Sequence, residues 1–295
     1  MEWSEFPSDG ISGQGQSRLA PESADTKVVG GPLMRAVMAL SGGMDSTALL
    51  IRLLAEGHEV SCISYNYGQK HIIEIERAQE NIAYLAQNGL EVEHEIVDLS
   101  GVMRLFHSAL TSPEFEIPTG HYEEEQMKAT VVPNRNAIFS SILYGHALSV
   151  ALKDDCEVKI ALGVHSGDHA IYPDCRPEFY ASLGESFALG NWDSDKVSFH
   201  LPFIDADKEA ILHDALDACV QLDLDFNTVF ANTNTSYNPD SEGRASGISG
   251  ADVERILAFH AIGRKDPVEY VDPWATVLQN ALVTADAFAA TEESE

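Results

Sequence analysis

Residues 35–46, RAVMALSGGMDS, decide the fold class of this 295-residue chain. Residues 35–40 form a short apolar run typical of a buried strand, and a helical pattern over 46–56 follows the loop 41–46. A glycine-rich turn before a helix offers free backbone N–H groups and the positive end of the helix dipole to an anion. The stretch therefore predicts a phosphate-binding loop at the carboxyl end of a parallel strand.

The residues of the loop suit close contact with phosphate oxygens. Two glycines let the backbone approach a ligand, the two serines add hydroxyl donors, and an Asp or Ser can cap the helix. The loop lacks the lysine of a Walker A motif, and the alternative interpretation is an ordinary capped strand–helix turn. Six residues are predicted to contact the nucleotide: Ser41, Gly42, Gly43, Met44, Asp45 and Ser46.

Apolar runs and helical patterns alternate along the rest of the chain. Strands are predicted at 59–65, 92–97, 158–164 and 197–201, and helices at 72–87, 136–152, 207–222 and 251–262. Short strands separated by helices predict an α/β fold, a doubly wound parallel sheet covered by helices on both faces.

Four segments are expected along the chain. Residues 1–32 are rich in Ser, Gly, Pro, Asp and Glu and are expected to form a flexible N-terminal extension. Residues 33–222 are the nucleotide-binding domain. The polar, turn-rich start of 223–282 predicts a small helical C-terminal appendage that completes the substrate site, and 283–295 is expected to be a loose tail.

The composition limits the partners. With 47 acidic and 18 basic residues, the net charge of −29 disfavours nucleic-acid binding, although it also suits solubility or salt tolerance. The chain has no apolar run near the roughly 18 residues of a membrane span and no secretory h-region. Four scattered cysteines without a CxxC pair favour a reducing compartment, so a cytoplasmic location is expected.

Several motifs carry a family resemblance. The loop matches the SGGxDS signature of PP-loop ATP pyrophosphatases, and four further segments resemble the 7-cyano-7-deazaguanine synthase (QueC) family. These are YNYGQKH at 65–71, VPNRN at 132–136, GVH at 163–165 leading to YPDCRPEF at 172–179, and PF at 202–203 leading to DKEAI at 207–211. The resemblance runs from about residue 35 to residue 267. It implies a Rossmann-like, adenine nucleotide alpha hydrolase-like PP-loop domain.

The resemblance also implies an activity. Members of the family use ATP to adenylate the carboxylate of 7-carboxy-7-deazaguanine, and ammonia then gives the amide and finally the nitrile. An acidic chain that binds ATP is also expected to need Mg²⁺. Two alternatives stay open. One is a conjugating enzyme of an antiphage system that transfers the activated deazaguanine to a protein amine. The other is a nucleotide-binding subunit with reduced turnover. A homodimer is possible.

Residue roles follow from the same resemblance. Catalytic roles are implied for Asp45, Ser46, Arg135 and Lys208, nucleotide contacts for Tyr67, Gln69, His71 and Arg135, and substrate contacts for His165, Asp168, Tyr172, Asp174, Arg176 and Phe179. Alternatives remain for some of them. Arg135 could pair with a surface acid, Lys208 could be a solvated residue at a helix start, and Asp174 and Arg176 could form a structural ion pair. Cys175 could be a nucleophile or a buried structural thiol.

The chain departs from the family at its zinc site. The family carries four zinc-binding cysteines near its C-terminus, and the corresponding positions here are Ser236, Ser246, Ser249 and Asp252. Serine is a very poor zinc ligand, so zinc is predicted to be absent and the region to be held by hydrogen bonds and helix packing. His165 stands where the family usually has Asn, which indicates a divergent member.

Overall fold

Five parallel strands form the sheet of the computed structural model, which describes residues 34–69, 73–106, 108–110 and 125–292. The strands are β1 (Arg35–Ala39), β2 (Glu59–Asn66), β3 (Glu93–Asp98), β4 (Val158–Ala161) and β5 (Val197–His200), in the order β3-β2-β1-β4-β5. The chain winds outward from β1 in both directions, and this reversal opens a crevice at the carboxyl ends of β1 and β4.

Helices cover both faces of the sheet. They are α1 (Met44–Ala55), α2 (Ile73–Gln87), α3 (Ser100–Met103), α4 (Arg135–Asp154), α5 (Pro177–Gly190), α6 (Lys208–Gln221), α7 (Phe226–Ala231), α8 (Gly250–Ala261) and α9 (Trp274–Glu292). The prediction of a doubly wound α/β fold is confirmed. Of the described helices, none is both long and apolar enough to cross a membrane.

Alternation along the strands explains why the two faces are distinct. In β1, Ala36 and Met38 belong to the core shared with α1 and α6, whereas Val37 belongs to the core shared with α4. In β4, Ala161 belongs to the core shared with α1 and α6, and Ile160 belongs to the core shared with α4. Successive side chains of a strand point to opposite faces, so apolar runs without polar interruptions give a sheet buried on both sides.

The predicted element bounds differ from the structure at a few places. Helix α1 begins at Met44, two residues earlier than expected, and β4 ends at Ala161 rather than at residue 164. The three residues after Ala161 leave the sheet and turn toward the crevice. Helices α5 and α7 are not anticipated by the sequence analysis, because both lie in segments whose turn residues dominate the pattern.

The C-terminal region is part of the main core. Phe226 and Phe230 of α7 and Phe259 of α8 pack in the same buried cluster as α1 and α6. By its internal contacts the chain from residue 33 onward is one compact unit, so no structural boundary appears at residue 223. The appendage expected there is helical, as predicted, but it shares its core with the nucleotide-binding domain.

Helix α9 replaces most of the expected loose tail. It continues through residue 283 to Glu292, and its Val277 and Ala281 are buried against Val253 and Ile256 of α8. The alanine-rich sequence favours a helix, and the apolar stripe gives that helix a surface to cover. The N-terminal extension expected at 1–32 lies outside the described residues.

Candidate active site

A pocket opens at the carboxyl ends of the strands β1, β2 and β4. Its volume is about 1160 Å³, including space open to solvent at its mouth. Eleven residues that the sequence analysis assigns to the site line this pocket: Ser41, Gly43, Asp45, Ser46, Tyr67, Gln69, Arg135, His165, Asp168, Tyr172 and Lys208. Segments far apart in the sequence therefore meet at one place.

The loop between β1 and α1 is held by its own hydroxyl groups. The Oγ atoms of Ser41 and Ser46 lie 2.9 Å apart, and the Gly43 N–H donates to Ser41 Oγ at 3.1 Å. Helix α1 has Gly43 as its N-cap and no side-chain cap. The N–H groups of its first turn are therefore available to phosphate oxygens, and the helix dipole favours negative charge there.

Close packing around the loop requires glycine at two positions. Gly42 has φ +85°, and a Cβ there would collide with the carbonyl of Glu74 in α2. At Gly163, a Cβ would lie 3.0 Å from the peptide that joins Asp45 and Ser46. Gly42 therefore shapes the loop without lining the pocket. Met44 does not line the pocket either, because its side chain is fully buried in the core.

Lys208 forms the centre of a charged cluster at the loop. It is the first residue of α6, and its Nζ lies 3.3 Å from Asp45 Oδ2 and 3.0 Å from Glu254 Oε2. Burial favours the neutral amine, but Asp45 and Glu254 outweigh burial and raise the pKa of Lys208 above its ordinary value. Lys208 is thus a buried, protonated cation, not a solvated residue at a helix start.

His165 faces two carboxylates beside this cluster. Its Nδ1 accepts the Gly167 N–H at 3.1 Å, so the ring proton belongs to Nε2, which lies 3.8 Å from Asp45 Oδ2 and 3.6 Å from Asp168 Oδ2. Burial would raise the pKa of Asp45, but the positive charge nearby, chiefly that of Lys208, outweighs burial, so this pKa lies below its usual value. Asp45 is consequently an anion at neutral pH.

Another part of the pocket is aromatic and carries an arginine. The guanidinium of Arg135 lies 5.8 Å from the ring centroid of Tyr67 and 6.0 Å from that of Tyr172. Tyr65 stacks on Phe139 with a centroid distance of 4.1 Å. No carboxylate of the described residues forms an ion pair with Arg135 at 4 Å or less, so the alternative of a surface ion pair is not seen.

Gln69 supports the segment after β2. Its Oε1 accepts the Tyr67 N–H at 2.9 Å, and its Nε2 donates to the Tyr65 carbonyl at 3.2 Å. These bonds fix the backbone that carries Tyr67 into the pocket. His71, also assigned to the nucleotide site, lies outside the described residues.

Three residues assigned to the substrate do not line the pocket. Asp174 accepts the Asn136 N–H at 3.3 Å, exposed Arg176 donates its Nε–H to the His169 carbonyl at 2.8 Å, and Phe179 packs on Tyr180. Asp174 and Arg176 form no ion pair with each other. The tight turn Pro173–Cys175 explains this placement, because it directs alternate side chains to different surfaces.

Cys175, which lies between Asp174 and Arg176, does line the pocket. The side-chain amide of Asn136 donates to its Sγ at 3.2 Å, and burial raises the pKa of the thiol. A thiol whose pKa is raised is a poor nucleophile at neutral pH. The structure therefore agrees with the interpretation of Cys175 as a buried, uncharged side chain of the wall.

Several site residues are missed by the sequence analysis. Glu74, Asn234 and Tyr237 line the pocket, and Glu254 contacts Lys208. Burial raises the pKa of Glu74 well above its usual range, against the opposing effect of Arg135. Glu74 and Glu254 lie inside helical patterns in which an acidic residue is usually solvated, so only tertiary structure could reveal them.

The four positions that correspond to zinc ligands do converge. Asp252 Oδ2 accepts hydrogen bonds from the hydroxyls of Ser236 at 3.0 Å, Ser246 at 2.7 Å and Ser249 at 2.8 Å, and from the Ser249 N–H at 3.1 Å. The Asp252 N–H donates in return to Ser249 Oγ, which completes a capping box at the start of α8. We call these four residues the Ser/Asp cluster. Within the described ranges, no group of three or more His, Cys, Asp or Glu side chains is arranged to hold a metal ion.

Comparison with known proteins identifies relatives over most of the chain. Residues 35–263 match the family model "Queuosine biosynthesis protein QueC". The chain is 40% identical over 237 residues to a 7-cyano-7-deazaguanine synthase of Caldicellulosiruptor bescii, a match that covers 80% of this chain and 97% of that protein. It is 38% identical to 7-cyano-7-deazaguanine synthase 1 of Colwellia psychrerythraea over 80% of this chain and 98% of that protein. A synthase of the same name from Methanoregula boonei is 39% identical over 80% of this chain and 99% of its own length.

Proposed function

The chain belongs to the QueC family of queuosine biosynthesis proteins, and from this membership we propose its reaction. It is an ATP-dependent carbon–nitrogen ligase that adenylates the carboxylate of 7-carboxy-7-deazaguanine and converts it with ammonia to 7-cyano-7-deazaguanine. The observation that carries the proposal is the pocket itself, because the uncapped start of α1, the ammonium of Lys208 and the guanidinium of Arg135 line the same cavity.

The phosphates of ATP belong at the loop between β1 and α1. Its first-turn N–H groups, the hydroxyls of Ser41 and Ser46, and Lys208 are the donors available there. Asp45 is the residue that would hold Mg²⁺, since its Oδ1 is buried and finds no hydrogen-bond partner among the described residues. Mg²⁺ supplies positive charge that stabilises the departing pyrophosphate.

The first step forms an acyl adenylate. A carboxylate oxygen of the substrate attacks the α-phosphorus of ATP, and the bond from that phosphorus to the bridging oxygen breaks. Pyrophosphate leaves with the electron pair of that bond. Lys208 and the amides of α1 face the place where its negative charge develops, and preorganised donors of this kind stabilise a transition state.

The second step consumes the adenylate. Ammonia attacks the acyl carbon, AMP leaves, and loss of a proton gives the primary amide. The amide oxygen then attacks the α-phosphorus of a second ATP with release of pyrophosphate. Loss of AMP and of the two amide protons gives the nitrile. The same phosphate loop serves both activations, so each turnover releases two pyrophosphates.

The deazapurine belongs at the aromatic part of the pocket. Tyr67 and Tyr172 offer ring faces for stacking, and Arg135 offers a planar fork to the substrate carboxylate or to the α-phosphate. His165 and Asp168 line the same pocket, with His165 Nε2 3.8 Å from Asp45 Oδ2 and 3.6 Å from Asp168 Oδ2, and they would face the reacting groups. Asp174, Arg176 and Phe179 have no role in this assignment.

Product analysis tests the proposal. The protein is incubated with ATP, Mg²⁺, ammonium and 7-carboxy-7-deazaguanine, and the small molecules and the protein are analysed by mass spectrometry. We expect the amide and then the nitrile, with two AMP per nitrile. Covalent addition of the deazaguanine to the protein, or to an added protein, would instead support the conjugating activity. Bound nucleotide without turnover would support a nucleotide-binding subunit.

A further inference from the structure

Glu254 connects the C-terminal region to the phosphate end of the pocket. It lies on α8, and its Oε2 is 3.0 Å from Lys208 Nζ, closer than the 3.3 Å between Lys208 Nζ and Asp45 Oδ2. The side chain of Glu254 is 23% exposed and that of Lys208 is 6% exposed. A charge pair this poorly hydrated is screened less by salt than a surface pair.

The carboxylate of Glu254 also contacts the turn that follows His165. Its Oε1 lies so close to Gly167 that a Cβ at that position would collide with it. Gly167 also donates its N–H to His165 Nδ1, so the turn that Glu254 contacts is the turn that orients His165. Glu254 therefore contacts backbone on one side and the Lys208 ammonium on the other.

The Ser/Asp cluster fixes the helix that carries Glu254. Asp252 and Glu254 are two residues apart on α8, so their side chains leave the helix in different directions. Asp252 binds the serines, and Glu254 reaches Lys208. The start of α8 is thereby tied to the segments that contain Ser236 and Ser246, with Glu254 one turn beyond it.

We propose that Glu254 is a positioning residue that holds Lys208 beside the phosphate loop, so that the Ser/Asp cluster sets the geometry of the pyrophosphate end through α8. Without Glu254, Asp45 at the loop would be the nearest carboxylate to the ammonium, and Asp168 would be the next one acting on its charge. Two carboxylates on different elements hold it between them, in reach of a leaving phosphate group. This inference rests on the proposed function for its catalytic consequence.

A double-mutant cycle between Glu254 and Lys208 tests the proposal, because it separates an effect that acts through Lys208 from a general loss of structure. The variants are E254Q, K208Q and the double variant E254Q/K208Q. The exposed Glu209, next to Lys208 on α6, gives the matched control E209Q. The readout is ATP–pyrophosphate exchange driven by 7-carboxy-7-deazaguanine, with kcat and KM for ATP measured separately.

We expect E254Q to lower kcat/KM for ATP by about 10-fold or more, and by less than about two-fold when Lys208 is already Gln. The loss should lie mainly in kcat, because Gln keeps the size of the side chain but no longer holds the ammonium by charge. E209Q should match the wild type, and E254D should recover part of the activity. An equal effect of E254Q in both backgrounds, or no effect in either, would overturn the proposal.

A binding measurement separates this inference from the proposed function. Calorimetry measures the affinity of the same four variants for Mg²⁺–pyrophosphate, with no acid substrate present. Coupling between Glu254 and Lys208 in pyrophosphate affinity supports the positioning role even if the wild type fails to use 7-carboxy-7-deazaguanine. Additive effects in this cycle count against it. If E254Q does not fold, as judged by its melting temperature, E254D enters the same cycle in its place.

Discussion

Replacement of Asp252 by Asn is the sharpest test of how the C-terminal region is held. The change keeps the size of the side chain and removes the charge that accepts four hydrogen bonds at Oδ2. A hydrogen bond to a charged group contributes about 1.5–3 kcal/mol, so four independent bonds would give about 6–12 kcal/mol. The four bonds share one oxygen, so their contributions are not additive. Loss of the helix cap at the start of α8 alone costs about 0.5–2 kcal/mol. We expect a loss of about 3–5 kcal/mol, which lies between loss of the cap alone and the additive sum of the four bonds.

Urea unfolding measures this loss. The midpoint should fall for Asp252→Asn at unchanged slope, while Asp217→Asn, at an exposed position on α6, should leave it within error. A loss of 3–5 kcal/mol is a large share of the roughly 5–15 kcal/mol that stabilises a typical domain, so partial unfolding near 37 °C would be visible. A chelator should not change the midpoint of the wild type, because hydrogen bonds to Asp252 close the Ser/Asp cluster.

Two results would refute this reasoning. A change below about 0.5 kcal/mol in Asp252→Asn would mean that the Ser/Asp cluster does not stabilise the region, since ordinary surface substitutions have effects of that size. About one zinc per chain in elemental analysis, together with destabilisation by chelator, would show that a metal still holds the region and that its ligands differ from those considered.

Three further predictions concern the pocket and its surroundings. Arg135→Lys should lower kcat/KM about 10-fold or more in steady-state kinetics, because a point charge cannot reproduce the planar fork, and activity near wild type would exclude a direct contact. Arg176→Ala should change the dissociation constants for ATP and for the acid by less than about two-fold in calorimetry, since its side chain lies on the surface away from the pocket; a 10-fold weaker binding of the acid would restore the substrate role first expected for it. Glu74→Gln should raise the melting temperature above that of the wild type at pH 7–8 but not at pH 4. The control Glu76→Gln should leave the melting temperature unchanged at both pH values. The pKa of Glu74 is raised by burial, so the folded state resists its ionisation, and stability is lost as the pH rises above the unfolded pKa toward the folded one. If Glu74→Gln changed the melting temperature by the same amount, relative to the wild type, at both pH values, this explanation would be wrong.

The sheet and the strand–loop–helix arrangement at 35–46 could be predicted because their signals are local. The run 35–46 contains strand, loop and helix start in one continuous stretch, and the structure places them as expected. Convergence of the Ser/Asp cluster could be predicted as well, since its spacing survives in the sequence. That Asp252 would accept every donor follows from chemistry, because it is the single anion among three hydroxyls.

The remaining parts of the site depend on tertiary structure. Asp174 and Arg176 flank Cys175 in the sequence, and no local pattern shows that only Cys175 turns into the pocket. Glu254 meets Lys208 from a helix 46 positions later in the chain, where helical periodicity alone indicates solvent. Contacts of this kind are set by how α6 and α8 pack, and a single sequence does not specify that packing.

Isotope exchange between labelled pyrophosphate and ATP measures whether the loop 41–46 activates a carboxylate with ATP. With Mg²⁺ and 7-carboxy-7-deazaguanine but no ammonium, label should enter ATP in the wild type and only when the acid is present. Asp45→Asn should lower the exchange rate by about 100-fold or more, because it removes the anion held between Lys208 and His165. Exchange that does not depend on the acid, exchange retained by Asp45→Asn, or conversion of ATP to ADP in place of AMP would contradict the account.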